Sequence, residues 1–456
     1  MNNDWVRRDL KHNWHPYTQM KDLEQVPPIF IQEAEGVKLY DNKGNFYYDT
    51  FSSWWCNVHG HNHPKIKQAI KKQVGLLSHI SFAGFTHKPA VIFSEKIVSI
   101  APKGLNKVFY SDNGSTSIET ALKMSLQYWH NSGLKGKKKF LSLDYGYHGD
   151  TIGAMSVSSI DVFQSVFKPL LFSSYKVHSP YCYRCPVGKS KDSCSIECIK
   201  QMEDILKKDS KSICAIILEP IVLAAGGMIV YPEKYLKKVF ELSRKHNVHL
   251  ILDEVATGFG RTGKMFACNY ADITCDFLCL SKGITSGYLP LGVTLTTKNI
   301  YDIFYDDYEN KKTFFHGHTY TANPVSISAA IASLKIFEKE NTIENIRDTI
   351  KFFHRGLERF RSLSLVGDVR YKGLIGAFEL VKDKQSKKTF DLKDRIGFKI
   401  YKQGLKNSLI LRPLDSVIYL FLPLCIKNSD IEIILDRTYN ILGSAKKLLS
   451  DPDSTD

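Results

Sequence analysis

The sequence contains no apolar run long enough to cross a bilayer. Its longest apolar tract, residues 213–230, is broken by Glu219-Pro220, and a spanning helix needs about 20 consecutive apolar residues. Internal repeats are also absent, so a stacked-repeat architecture is excluded. Acidic residues are in short supply, 47 Asp and Glu against 62 Lys and Arg, for a formal charge of +15. Such a surplus raises a nucleic-acid reading. The lysines are scattered, however, with only short clusters such as Lys135–Lys139, and this pattern predicts a solvated surface instead. The opening residues, Met-Asn-Asn-Asp-Trp-Val-Arg-Arg, lack the apolar core of a signal peptide. Ten cysteines without a secretion signal then predict reduced thiols and a cytoplasmic location. The 456 residues, of ordinary apolar and aromatic content, suffice for two or three globular domains.

The stretch 248–287 organises the chain. Two short apolar runs, 248–252 and 277–280, are too short for core helices and predict buried strands. One ends in Asp253, the other in Ser281-Lys282-Gly283. Ligands of open α/β sheets bind at the carboxyl ends of the strands. A carboxylate and a lysine at two such ends suit the two poles of pyridoxal phosphate. Its aldehyde takes a lysine as a Schiff base, and its ring nitrogen needs an anion to stay protonated. An ordinary Asp–Lys ion pair has the same signature.

Further strands are predicted at 108–111, 140–143 and 214–218, alternating with helices over 117–129 and 232–246, which implies a mostly parallel sheet wound with helices. The turn Asp112-Asn113-Gly114-Ser115-Thr116 before the first helix is a candidate anion site, although a helix cap looks the same. Tyr147, glycine-flanked after a strand, is a candidate ring-stacking aromatic. A hairpin is predicted around Asp41–Gly44. The adjacent Trp54 and Trp55 suit either core or a pocket wall. His59, His61 and His63 alternate in a turn, and Cys182, Cys185, Cys194 and Cys198 have the count for tetrahedral zinc or are reduced thiols. A glycine-broken turn at 314–320 precedes a helix over 324–339. Residues 330–456 read as a second α+β domain, ending in a disordered tail from Ser450.

Taken together, these motifs resemble the class III (ω-amino) aminotransferases of the pyridoxal-phosphate fold-type I superfamily, over nearly the whole chain. The resemblance rests on His15-Pro-Tyr17-Thr-Gln-Met, Ser52-Ser-Trp54-Trp55, Ser111-Asp-Asn-Gly114-Ser115, Tyr147-His-Gly-Asp150-Thr, Leu252-Asp253 through Arg261-Thr-Gly, Ser281-Lys282-Gly, His316-Gly317-His318-Thr319 and Leu411-Arg412-Pro413. The Ser-Ser-Trp-Trp turn and the His-Pro-Tyr opening narrow it to the branch serving biotin synthesis. The resemblance implies a homodimer with shared active sites and an α/β fold. The expected domains are a large one over 65–325 and a smaller α+β one from 1–64 and 326–456. It also implies the reaction, ping-pong transamination of 8-amino-7-oxononanoate to 7,8-diaminononanoate.

The implied roles fall on single residues. Lys282 resembles the Schiff-base lysine and proton shuttle, and Asp253 the carboxylate on the pyridinium. Gly114 and Ser115 resemble the phosphate cup, Thr319 with His318 the segment reaching the phosphate from the partner subunit, and Tyr147 the stacking aromatic. Arg412 resembles the clamp on the substrate carboxylate, a role suited to a bidentate fork. Trp54, Trp55 and Tyr17 resemble the apolar wall, with Tyr17 also counted among the catalytic groups, and Arg261 and Gly317 complete the implied substrate contacts. Two positions depart from the usual pattern. Asn113 replaces the common serine. His318 stands where many relatives carry proline, which points to L-lysine as amino donor, whereas Trp54 points to S-adenosylmethionine. No metal is implied. Another ω-aminotransferase, acting on 4-aminobutyrate, ornithine or a diamine, is the alternative.

Overall fold

The computed structural model describes residues 3–190 and 193–450. The tail for which disorder was expected lies, over 451–456, outside the described residues. The chain forms two compact units: Trp55–Val58 with Pro64–Arg347, and Met1–Trp54 with His59–His63 and Asp348–Asp456.

The larger unit is built on a seven-stranded sheet. Its strands are β1 (Leu105–Ser111), β2 (Lys139–Leu143), β3 (Tyr175–Val177), β4 (Ile213–Leu218), β5 (His249–Asp253), β6 (Phe277–Leu280) and β7 (Gly292–Thr297), in the spatial order β1-β7-β6-β5-β4-β2-β3. Neighbours from β6 to β3 run parallel, and β7 is antiparallel to both β6 and β1. All residues of β4, β5 and β6 are buried. Helices covering both faces of a sheet demand this, and it explains why these strands read as unbroken apolar runs and not as alternation.

Helix α1 (Gly114–Asn131) packs Ile118, Ala121, Leu122 and Trp129 into one core with Phe140, Ile217, Ile251 and Phe277. Leu126 is 40% exposed, because the buried stripe centres on Ala121, Leu122 and Ser125 and leaves it at the margin. Helix α2 (Glu233–Lys245) buries Tyr235, Leu236, Val239 and Leu242. Helix α3 (Pro324–Lys339) buries Ala329, Ala332 and Ile336 against Ile66. This packing keeps α3 in the larger unit, so the expected division at residue 325 falls inside that unit.

In the smaller unit the predicted hairpin forms, with Lys38 opposite Tyr48, and a third strand, Ile31–Glu35, joins it. Asp41 closes the turn by accepting hydrogen bonds from the backbone N–H groups of Lys43 and Asn45. A second antiparallel sheet orders Val366–Lys372, Ile375–Leu380 and Val417–Phe421. Among the described residues no helix is long and apolar enough to cross a membrane.

Candidate active site

Three adjacent strands of the larger unit end in ionisable side chains. Glu219 follows β4, Asp253 ends β5, and Lys282 lies two residues beyond β6. In register, Leu218 lies beside Leu252 and Asp253 beside Cys279, so the three groups leave the same edge of the sheet. Lys282 sits in the left-handed region (φ 44°) at the start of a tight turn, and its Nζ lies 4.4 Å from the centre of the Trp55 ring. Enclosure pushes the amine below the ordinary lysine range, while the nearby Asp253 and Glu219 oppose that shift. Glu219 moves the other way, to about 8, through burial first and the charge of Asp253 second.

Asp253 is held from two sides. One oxygen accepts the Val255 N–H at 3.0 Å and the other lies 2.7 Å from His148 Nδ1. The His148 ring is fully buried and its backbone N–H donates to Ser158 Oγ. Glu219 accepts the N–H groups of Tyr147 and Ala224. The loop after β2 is thereby tied at successive residues to two strand ends. Tyr147 belongs to this loop, its ring edge-on to Phe163. The roles of His148 and Glu219 were not read from the sequence. The signal for Glu219 was present, since it ends a buried run just as Asp253 does.

The start of α1 forms the second part. Asn113 Oδ1 accepts the Thr116 N–H, and Thr116 Oγ1 accepts the Asn113 N–H, a reciprocal cap. Asparagine caps a helix as well as serine does, so this departure leaves the helix start intact. Space here is minimal. A Cβ on Gly114 would come within 2.7 Å of Val255 Cγ1, and one on Gly149 (φ 126°) within 2.1 Å of Ser115 Oγ. The loop after β2 therefore closes on the first turn of α1. Backbone N–H groups and the helix dipole there favour an anion. A lysine and a buried carboxylate at neighbouring strand ends, with a crowded anion cradle, fit pyridoxal phosphate.

Other predicted residues of this unit take definite places. Arg261 is 1% exposed and donates to the Asn57 carbonyl at 2.8 Å. His318 Nδ1 lies 2.8 Å from Asp112 Oδ2, and His316 bonds Lys123. Gly317 and Thr319 are exposed. Cys182, Cys185, Cys194 and Cys198 line one small cavity. Among the described residues, no group of three or more His, Cys, Asp or Glu stands ready to hold a metal, and the histidine alternation ends with His61 on Asp49.

In the smaller unit, the Arg412 guanidinium lies 4.6 Å from the centre of the Trp54 ring, and Tyr17 meets that ring edge-on at 5.6 Å. The turn Ser52–Trp55 is left-handed throughout, with φ of 52°, 45°, 71° and 73°. For L-residues this costs roughly 1–2 kcal/mol each.

The aminotransferase class-III family model matches residues 19–442. The adenosylmethionine-8-amino-7-oxononanoate aminotransferase of Geobacter sulfurreducens is 45% identical over 434 residues, 95% of each chain. That of Aquifex aeolicus is 44% identical over 429 residues, 94% of each chain. The crystal structure of the enzyme so named from Methanocaldococcus jannaschii superposes with a TM-score of 0.93 at 42% identity, covering 97% of this chain and 99% of that one. An omega transaminase from Pseudomonas jessenii in complex with PMP gives 0.92 at 29% identity, covering 98% and 99%. With a family match over most of the chain and a fold-type I sheet, the chain belongs to the pyridoxal-phosphate-dependent class III aminotransferases.

Proposed function

We propose that this aminotransferase converts 8-amino-7-oxononanoate into 7,8-diaminononanoate, a step of biotin synthesis, as a cytoplasmic homodimer. The likeness to the Geobacter sulfurreducens enzyme, spanning 95% of both chains, carries the reading. The name of that relative favours S-adenosylmethionine as donor. His318, held on Asp112, keeps L-lysine as the second candidate.

Bound pyridoxal phosphate supplies an electron sink for the bond broken at the amine-bearing carbon. Lys282 would hold the cofactor, and its Nζ would accept and return the proton, a task eased by an amine that loses its proton more readily than usual. Asp253, fixed by His148 and the Val255 N–H, supplies the anion for the ring nitrogen. Gly114 and Ser115 would hold the phosphate together with the partner subunit's Thr319, and Tyr147 would lie on the ring. Arg412 binds the substrate carboxylate by a forked contact. Trp54, Trp55 and Tyr17 receive the apolar chain, and Arg261 and Gly317 add contacts.

The test is a donor panel with purified protein and 8-amino-7-oxononanoate, read by mass spectrometry of the product. Formation of 7,8-diaminononanoate with either donor supports the reading. Turnover of 4-aminobutyrate, ornithine or a diamine, with none of 8-amino-7-oxononanoate, overturns it.

A further inference from the structure

The left-handed turn Ser52–Trp55 contains no glycine, so something other than intrinsic preference must hold it. Asp49 is the holding group. Its side chain is fully buried and accepts three hydrogen bonds, from the Ser53 N–H, from Ser53 Oγ and from His61 Nε2, each at 2.8 Å. His61 is itself pinned by paired backbone hydrogen bonds with Gly36. Ser52 Oγ donates to the Phe421 carbonyl at 2.5 Å, and the Phe421 N–H donates to the Thr50 carbonyl. Both serines of the turn are thus tied by their side chains, one to Asp49 and one to a sheet strand of the smaller unit.

The two tryptophans after these serines give the turn its use. Trp54 lies against Arg412 and Tyr17, and Trp55 against the Lys282 amine. A right-handed turn would send both indoles elsewhere, because side-chain direction follows φ and ψ. Each of these contacts therefore depends on the turn keeping its hand.

We propose that Asp49 is a positioning residue for the transamination: with His61 behind it, its carboxylate locks Ser52–Trp55 in the left-handed form and so sets both tryptophans. Asp49 touches neither substrate nor cofactor in this role. The inference rests on reading Trp54 and Trp55 as the wall for the keto substrate.

The decisive variants are Asp49→Ala and Asp49→Ala with Ser53→Gly, both in the full-length, cofactor-loaded protein. Near-UV circular dichroism, referenced to Trp54→Phe and Trp55→Phe proteins, reports the indole environment without any substrate. Asp49→Ala is expected to lose the signal those references lose, and to raise KM for 8-amino-7-oxononanoate about tenfold or more, with a smaller change in kcat. Ser53→Gly should recover part of both, because glycine enters the left-handed region freely. A role in stability alone would lower the melting temperature and leave KM and the indole signal in place.

A folded Asp49→Ala protein with an intact tryptophan signal and unchanged KM overturns the proposal. If Asp49→Ala is recovered only unfolded, Asp49→Asn and Ser53→Ala decide. Each sacrifices at least one of these hydrogen bonds and should raise KM about threefold or more; no change in either overturns the proposal. Should the wild-type protein ignore 8-amino-7-oxononanoate, the substrate reading fails, while the dichroism comparison still decides what Asp49 does.

Discussion

Replacing Glu219 with glutamine tests the electrostatics of the three strand ends most directly. The side chain is 3% exposed, and burial with the charge of Asp253 pushes its pKa up to about 8 from 4.5. A folded-state pKa above the unfolded value means that the folded protein binds the extra proton between the two. The contribution of Glu219 to stability is therefore fully present below about pH 4.5 and is lost as the pH rises through about 8. At about 1.4 kcal/mol per pH unit, that gap sets a ceiling of about 5 kcal/mol on the loss. Glu219→Gln removes that group's part of the slope. It also has a cost that pH does not change. Tyr147 and Ala224 both donate to the carboxylate, and the one amide oxygen cannot serve both geometries, which costs about 1–3 kcal/mol. The variant should thus be less stable than wild type near about pH 5 and more stable near about pH 9, with the curves crossing between them. Urea unfolding midpoints of the cofactor-free protein across that range give the comparison. Two parallel curves would refute the reasoning, since they would mean that Glu219 carries no displaced proton.

Lys282→Ala should abolish the visible absorption of the lysine-bound cofactor together with transamination; normal turnover would remove the lysine from its role. Asp253→Asn keeps the shape and removes the anion, so kcat should fall on the order of a hundredfold, measured in steady state, and an unchanged kcat would leave Asp253 a structural partner of His148. Arg412→Ala should damage kcat/KM for 8-amino-7-oxononanoate more than the donor half-reaction, by about 2–5 kcal/mol for a desolvated carboxylate pair. Stopped-flow spectra of the two half-reactions separate these effects, and equal slowing of both would take the carboxylate away from Arg412.

The strand ends were legible because β4, β5 and β6 are buried on both faces, leaving runs of apolar residues that stop at Glu219, Asp253 and Ser281. The start of α1 was legible as a turn of small residues before a helix. Strand β7, Gly-Val-Thr-Leu-Thr-Thr, was not, because threonines buried against the core interrupt its apolar pattern. Thr294 and Thr296 satisfy their hydroxyls on the carbonyls of Ser117 and Asp276, contacts that only the tertiary structure supplies. The partnership of His148 with Asp253 spans 105 residues and has no local signal. The hand of the Ser52–Trp55 turn was equally hidden. Residues of those types favour negative φ, and the contacts that accompany the reversal, Asp49 on His61 and Ser52 on Phe421, form only in the tertiary structure.

The antiparallel strand β7 also has a consequence for how the molecule comes into being. Among the described residues it is the only strand paired with β1, and the two are about 180 residues apart in the chain. A ribosome adding roughly 5–20 residues per second leaves β1 unpaired for roughly ten to forty seconds before its partner emerges. During that time β1 has no strand partner and is open to other nascent chains. Closing so long a loop is slow, so the yield of soluble protein should depend on chaperone supply and growth temperature more than on any single contact in the finished sheet.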